Sequence, residues 1–135
     1  MAGSDGYARP GIAGSGTIAC GLAACASQTG EVRLLARSDA SAWRAEESSQ
    51  AEARKLDDGA PERIRVTTDE GDLGDCDLVV EAIVEEPAAK GELLATLAGA
   101  AGDADIATTT SSLELAPLGV ASGAPERFFG LHVFN

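Results

Sequence analysis

The sequence predicts an α/β domain with a doubly wound, mainly parallel sheet and helices on both faces. Three observations predict it. Short strand-like runs alternate with helix-like stretches almost throughout the chain, an order that with short right-handed crossovers specifies a parallel sheet. The run CDLVVEAIV (76–84) is a continuous apolar run, typical of a strand buried on both faces. The glycines of GIAGSGTIACGLA (11–23) fall where the first strand hands over to the first helix.

Taken in order, PGIAG (10–14) reads as a short buried strand, and Thr17 to Ser27 is rich in Ala, Leu and Ile, as a packed helix is, stopping near Gly30. EVRLLAR (31–37) gives the second strand, after which Ser38 or Asp39 can cap a helix reaching to about Asp57, ended by Asp58 and Gly59. RIRVTT (63–68) and CDLVVEAIV (76–84) are the third and fourth strands. Pro87, with its fixed φ and missing N–H, suits the first turn of a helix running to about Ala100. DIATTTS (105–111) is the fifth strand, Leu113 to Val120 a short helix, and RFFGLHVF (127–134) the sixth strand.

A chain of 135 residues has the length of one domain, expected here over residues 10–135. The first nine residues, MAGSDGYAR, lack the basic head and apolar stretch of an export signal, so they read as a flexible leader and the expected address is cytoplasmic. Hydrophobic residues at 44% and charged residues at 24% are globular proportions, and no apolar run is long enough to span a bilayer, so no membrane partner is expected. Ten Lys and Arg against 22 Asp and Glu give a net charge of −12, whose field repels a phosphate backbone and argues against nucleic acid as a partner. A phosphate that binds must be held locally. Cys20, Cys25 and Cys76 are odd in number and form no metal pattern, so they are expected as buried thiols. Trp43 is expected to pack, and AEESSQAEARK (45–55) to present a solvated helix face.

Gly14, Gly16 and Ala19 satisfy G-x-G-x-x-A at the first strand-to-helix junction, the position that gives this pattern its meaning in a Rossmann-type dinucleotide domain. Gly14 allows the tight turn, Gly16 lets a pyrophosphate approach the backbone, and Ala19 keeps the helix close to the sheet. The amides of Ser15, Thr17 and Ile18 at the helix mouth then offer unpaired donors and a partial positive charge. An acidic residue about 20 positions on normally ends the second strand and grips the ribose 2′-hydroxyl. That place holds Arg37, with Ser38 beside it and Asp39 two residues on. A cation there suits a 2′-phosphate better than it replaces a carboxylate, so NAD and NADP both stand as cofactors, and Arg37 also reads simply as a solvated charge at a strand end.

GSGTIACGLA, DLVVEAIVEEPAAKGELL, TTTSSLEL and RFFGLHVFN together resemble the 3-hydroxyacyl-CoA dehydrogenase family, over roughly residues 10 to 135. The glycine turn alone equally suits a glycerol-phosphate or ketopantoate dehydrogenase, whereas the later segments favour the hydroxyacyl family. The resemblance implies oxidation of 3-hydroxyacyl thioesters with a nicotinamide cofactor, in fatty-acid or short-chain hydroxybutyryl metabolism. By position it makes His132 the catalytic base, Ser111, 21 residues earlier, the substrate-binding serine, and Asn135 the asparagine after the histidine. It sets Glu85 and Lys90 beside the bound cofactor. The family's glutamate that orients and polarises the histidine, and its helical domain, which completes the acyl-CoA site and the dimer contact, are not among these residues, so weak or no turnover by this portion alone is expected. The family's S-N-T-S-S also stands here as Thr108 to Ser112. A non-catalytic Rossmann domain that self-associates as a homodimer, or binds another protein, is the alternative expectation.

Overall fold

A computed structural model describes residues 6–133, and in it six parallel strands form one sheet in the order β3-β2-β1-β4-β5-β6. The strands are β1 (Pro10–Ala13), β2 (Val32–Leu35), β3 (Ile64–Thr67), β4 (Leu78–Glu81), β5 (Asp105–Thr108) and β6 (Phe128–Gly130). Four helices connect them: α1 (Thr17–Ser27), α2 (Asp39–Arg54), α3 (Pro87–Ala100) and α4 (Leu115–Ser122). The doubly wound, Rossmann-type arrangement expected from the alternation forms, and the order of connection reverses between β1 and β4. A ligand crevice in such sheets opens outside the carboxyl ends of those two strands.

Strand alternation divides the core between the two faces. Ile12, Leu34 and Val80 face α1 and α2 with Ala19, Ala23, Ala45 and Ala53, whereas Ala13, Leu35, Val79 and Ile106 face α3 and α4 with Leu94, Leu97 and Leu118. Small residues carry the first layer. Ala19, Cys20, Ala23, Ala24 and Ser27 are the buried positions of α1, and Ser41, Ala45, Ser49 and Ala53, each four apart, are those of α2. With little side chain between them, the two helices lie close to each other and to the sheet.

Local chemistry sets several of the helix ends. Ser38 caps α2 through a capping box with Ser41, settling the choice between Ser38 and Asp39. Glu86 caps α3 by accepting the amides of Ala88 and Ala89, and Pro87 opens its first turn as expected. Gly123, at φ +79°, ends α4 in the left-handed region that glycine adopts without strain.

Several expectations are corrected. The strands are shorter than their apolar runs: β4 ends at Glu81 and β5 at Thr108, and after one further bond each to a neighbouring strand, from the Ala82 amide to Ala13 and from the Thr109 amide to Glu81, the amides of Ile83 and Ser111 turn to carboxylates. The last helix is shifted, starting at Leu115 rather than Leu113. Within the leader, Tyr7 to Arg9 are tied down: Tyr7 Oη donates to Asp105 at 2.6 Å, and the amides of Ala8 and Arg9 donate to Asp77 at 2.8 and 2.9 Å. Cys25 is exposed, unlike Cys20 and Cys76, and Trp43 is 65% exposed on α2 rather than packed. Among the described residues no helix is long and apolar enough to cross a membrane.

Candidate functional site

The glycine turn lies at the switch point. Gly14 follows β1 with φ +144°, and a Cβ there would meet the Ala82 carbonyl oxygen at 2.5 Å, so the ends of β1 and β4 can approach this closely only over a glycine. Its amide donates to the Leu35 carbonyl at 2.9 Å, joining the turn to β2 as well. Ser15 and Gly16 are exposed, and a Cβ on Gly16 would meet nothing within 4 Å. Gly16 caps α1 with no side-chain bond, and the first turn of α1 carries no acidic residue. The amides around Thr17 and Ile18 are therefore open to an anion, with about half a positive charge from the helix dipole behind them. Thr17 is exposed, whereas the side chain of Ile18 packs partly into the core. This cradle fits a dinucleotide diphosphate.

A polar network lies just beyond it, at the ends of β4 and β5. Glu81, with no exposed surface, accepts hydrogen bonds from Lys90 Nζ at 2.5 Å, Thr108 Oγ1 at 2.5 Å and the Ile83 amide at 2.8 Å. Lys90 also donates to the Ile83 carbonyl at 3.0 Å and lies 3.4 Å from Glu85. Glu85 faces outward, and its Oε2 accepts from Thr110 Oγ1 at 2.9 Å, Ser112 Oγ at 2.8 Å and the amides of Ser111 and Ser112, each at 3.1 Å. Burial pushes the Glu85 carboxyl up, but these four donors outweigh it and hold its pKa down at about 2. Every buried side-chain polar atom among the described residues has a partner, as buried polar groups require.

Of the residues singled out in the sequence, Gly14, Ser15, Gly16, Thr17 and Ile18 come together at one corner, and Glu85 and Ser111 at the next. Lys90 is corrected: with 0% exposure it has no surface to offer a cofactor, and instead it holds Glu81 and Glu85 in place. His132 is exposed and follows β6, where the Leu131 amide donates to the Thr108 carbonyl at 2.8 Å, so it leaves the sheet beside the strand that leads to Ser111. Asn135 lies outside the described residues. At the end of β2, the Ala36 amide still bonds the Thr67 carbonyl and its side chain is 2% exposed, while Arg37 is the first exposed residue and has no ion pair among the described residues. Ser38 spends its hydroxyl on the cap of α2, bonding Ser41 Oγ at 2.9 Å. Sequence reasoning met Thr108, Thr110 and Ser112 only as a departure from the family's pattern and gave Glu81 no role. The available signal was a charged residue inside a strand otherwise apolar on both faces, which demands a buried partner.

A cleft of about 510 Å³ lies elsewhere, beside edge strand β3, between Arg33, Arg65, Thr67 and Asp72. Its cations are already committed, Arg33 to Asp75 and Arg65 to Glu31, and its lining includes none of the residues of the glycine turn or of the Glu85 network.

Comparison with known proteins agrees with this geometry. Residues 10–135 match the model of the 3-hydroxyacyl-CoA dehydrogenase NAD-binding domain. The chain belongs to the 3-hydroxyacyl-CoA dehydrogenase family. It is 34% identical, over 98% of its length, to a 3-hydroxybutyryl-CoA dehydrogenase of Mycobacterium tuberculosis, covering 51% of that protein. Among solved structures it superposes on the (S)-3-hydroxybutyryl-CoA dehydrogenase of Ralstonia eutropha with a TM-score of 0.85 and 30% identity, covering 96% of this chain and 50% of that one. The 3-hydroxybutyryl-CoA dehydrogenase of Escherichia coli gives a TM-score of 0.86 and 30% identity, covering 96% of this chain and 30% of that one. The chain thus spans about half or less of the length of these relatives, and it is an NAD-binding domain of the 3-hydroxyacyl-CoA dehydrogenase family.

Proposed function

We infer that this domain carries the hydride-transfer half of a dehydrogenase acting on a 3-hydroxyacyl-CoA, with 3-hydroxybutyryl-CoA the first substrate to try because relatives are named for it. The Glu85 hub is the observation that supports this reading most. It binds the loop after β4, at the glycine crevice, to the backbone of Ser111 and Ser112, so the cofactor corner and the serine of the substrate corner form one body. His132 takes the proton of the C3 hydroxyl as the hydride leaves C3, and an imidazole suits that transfer near neutral pH. Ser111 hydrogen-bonds the same oxygen and fixes it for reaction. The bound nicotinamide supplies the hydride acceptor.

Ser111 and His132 are both exposed, and hydride transfer needs a site from which water is kept out. Turnover by these 135 residues alone is therefore weak or absent, whereas dinucleotide binding persists. Acetoacetyl-CoA reduction, followed by loss of NADH absorbance, tests the chemistry. A rate abolished by His132→Ala supports the base, and a rate untouched by it refutes the assignment.

A second reading, self-association without catalysis, draws on exposed apolar groups at one end of the sheet. Phe129 on edge strand β6 is 36% exposed and Val120 on α4 is 72% exposed. Sedimentation separates the two: a monomer that binds NADH defeats association, and a tight dimer blind to NADH defeats the first reading.

A further inference from the structure

The mouth of β2 departs from what an NAD pocket requires. Discrimination in favour of NAD rests on a carboxylate there, which accepts hydrogen bonds from the ribose hydroxyls and repels a 2′-phosphate. Ala36, at the last ladder position beside Thr67, is apolar and buried, and the next residue, Arg37, is exposed. Ser38 and Ser41 close the cap of α2 on each other. Asp39 opens α2 beyond that cap, and two of the carboxylates after β3 are engaged locally: Asp69 accepts the Gly71 amide at 2.9 Å, and Asp72 accepts Thr67 Oγ1 at 2.5 Å. A protein with a net charge of −12 thus places a guanidinium with no ion pair among the described residues at the strand end where a dinucleotide carries or lacks its third phosphate.

We propose that Arg37 makes this domain a binder of the 2′-phosphorylated dinucleotide, NADP(H), in preference to NAD(H), which the same cradle also accepts. The proposal rests on the dinucleotide reading of the glycine turn. A guanidinium meets a phosphate monoester through paired, charge-assisted N–H donors, whereas the bare ribose hydroxyls of NAD offer it little. The negative field of the rest of the chain is screened over about one Debye length at physiological salt, so a contact at hydrogen-bond distance outweighs it.

Titration of the intact chain with NADPH and NADH, followed by nicotinamide fluorescence, tests the proposal, with 2′,5′-ADP and 5′-AMP in calorimetry as probes of the adenosine end alone. NADPH is expected to bind about tenfold more tightly than NADH, and 2′,5′-ADP more tightly than 5′-AMP by a similar factor. Arg37→Ala, an exposed change that leaves the fold intact, removes the preference by weakening NADPH while NADH stays within about twofold. Arg37→Lys restores part of it through charge alone. NADH binding as tightly as NADPH, or Arg37→Ala weakening both equally, overturns the proposal while leaving the dinucleotide site standing. Failure of both dinucleotides to bind overturns both.

Discussion

Replacing Lys90 by methionine removes the cation from a carboxylate that has no access to water. Lys90 and Glu81 are each 0% exposed and 2.5 Å apart, and methionine fills similar volume without charge. Breaking a buried pair from one side costs about 3–5 kcal/mol, because the remaining charge stays desolvated. Glu81 keeps two donors, Thr108 Oγ1 and the Ile83 amide, so the lower end, about 3 kcal/mol, is expected. Against a total stability of about 5–15 kcal/mol that is a large fraction. In urea, with a slope of about 2 kcal/mol per molar, the midpoint falls by about 1.5 M. The double variant Lys90→Met with Glu81→Gln removes the stranded charge and keeps an acceptor, so it recovers much of the loss and gives a coupling energy of about 1–3 kcal/mol. A single variant losing less than about 1 kcal/mol, or a double variant losing the sum of the two single losses, refutes the reasoning.

The two turn glycines are expected to separate folding from binding. Gly16 has extended backbone and open space at its Cβ, so Gly16→Ala changes stability by less than about 0.5 kcal/mol yet weakens the dinucleotide about tenfold by occupying the diphosphate's approach. Gly14→Ala fails in both assays, losing about 1–3 kcal/mol to strain at φ +144° and contact with Ala82; wild-type stability there would contradict the packing described. For Glu85, a carboxyl held at about 2 in the fold and ordinarily at 4.5 stabilises the native state above pH 4.5, and that contribution drains away as pH falls toward 2. The shift corresponds to about 3 kcal/mol unscreened, reduced to about 1 kcal/mol for a side chain 37% exposed. Glu85→Gln is expected to lack this acid-sensitive part, which urea melts at pH 2, 3, 4 and 6 detect; parallel stability curves for the two proteins would exclude it.

Order and type of the elements were legible because each is written in its own period. The continuous apolar run around Val79 and Val80 marks a strand covered twice, and the alanines at 19, 23, 45 and 53 mark helices pressed against it. Ends were less legible. The run from Asp105 reads as strand through Ser111, yet the ladder stops at Thr108, where Thr110 and the Ser111 amide turn to Glu85 instead. The glycine cradle could be read directly, since its chemistry lies in consecutive residues. The Glu81–Lys90 pair could not, because it spans a strand end and a helix face nine positions apart, and nothing local distinguishes that lysine from one in solvent. Trp43 misled for the opposite reason: size suggests burial, but its side of α2 faces water while Ser41 and Ala45 face the core.

One carboxylate oxygen on Glu85 fastens two otherwise separate peptide segments, so neither can swing without dragging its neighbour. A dinucleotide that nudges the segment after β4 by a fraction of an ångström would relay the same push to the serine hydroxyl across the crevice. The coenzyme corner and the serine corner are thereby geared together within this one domain.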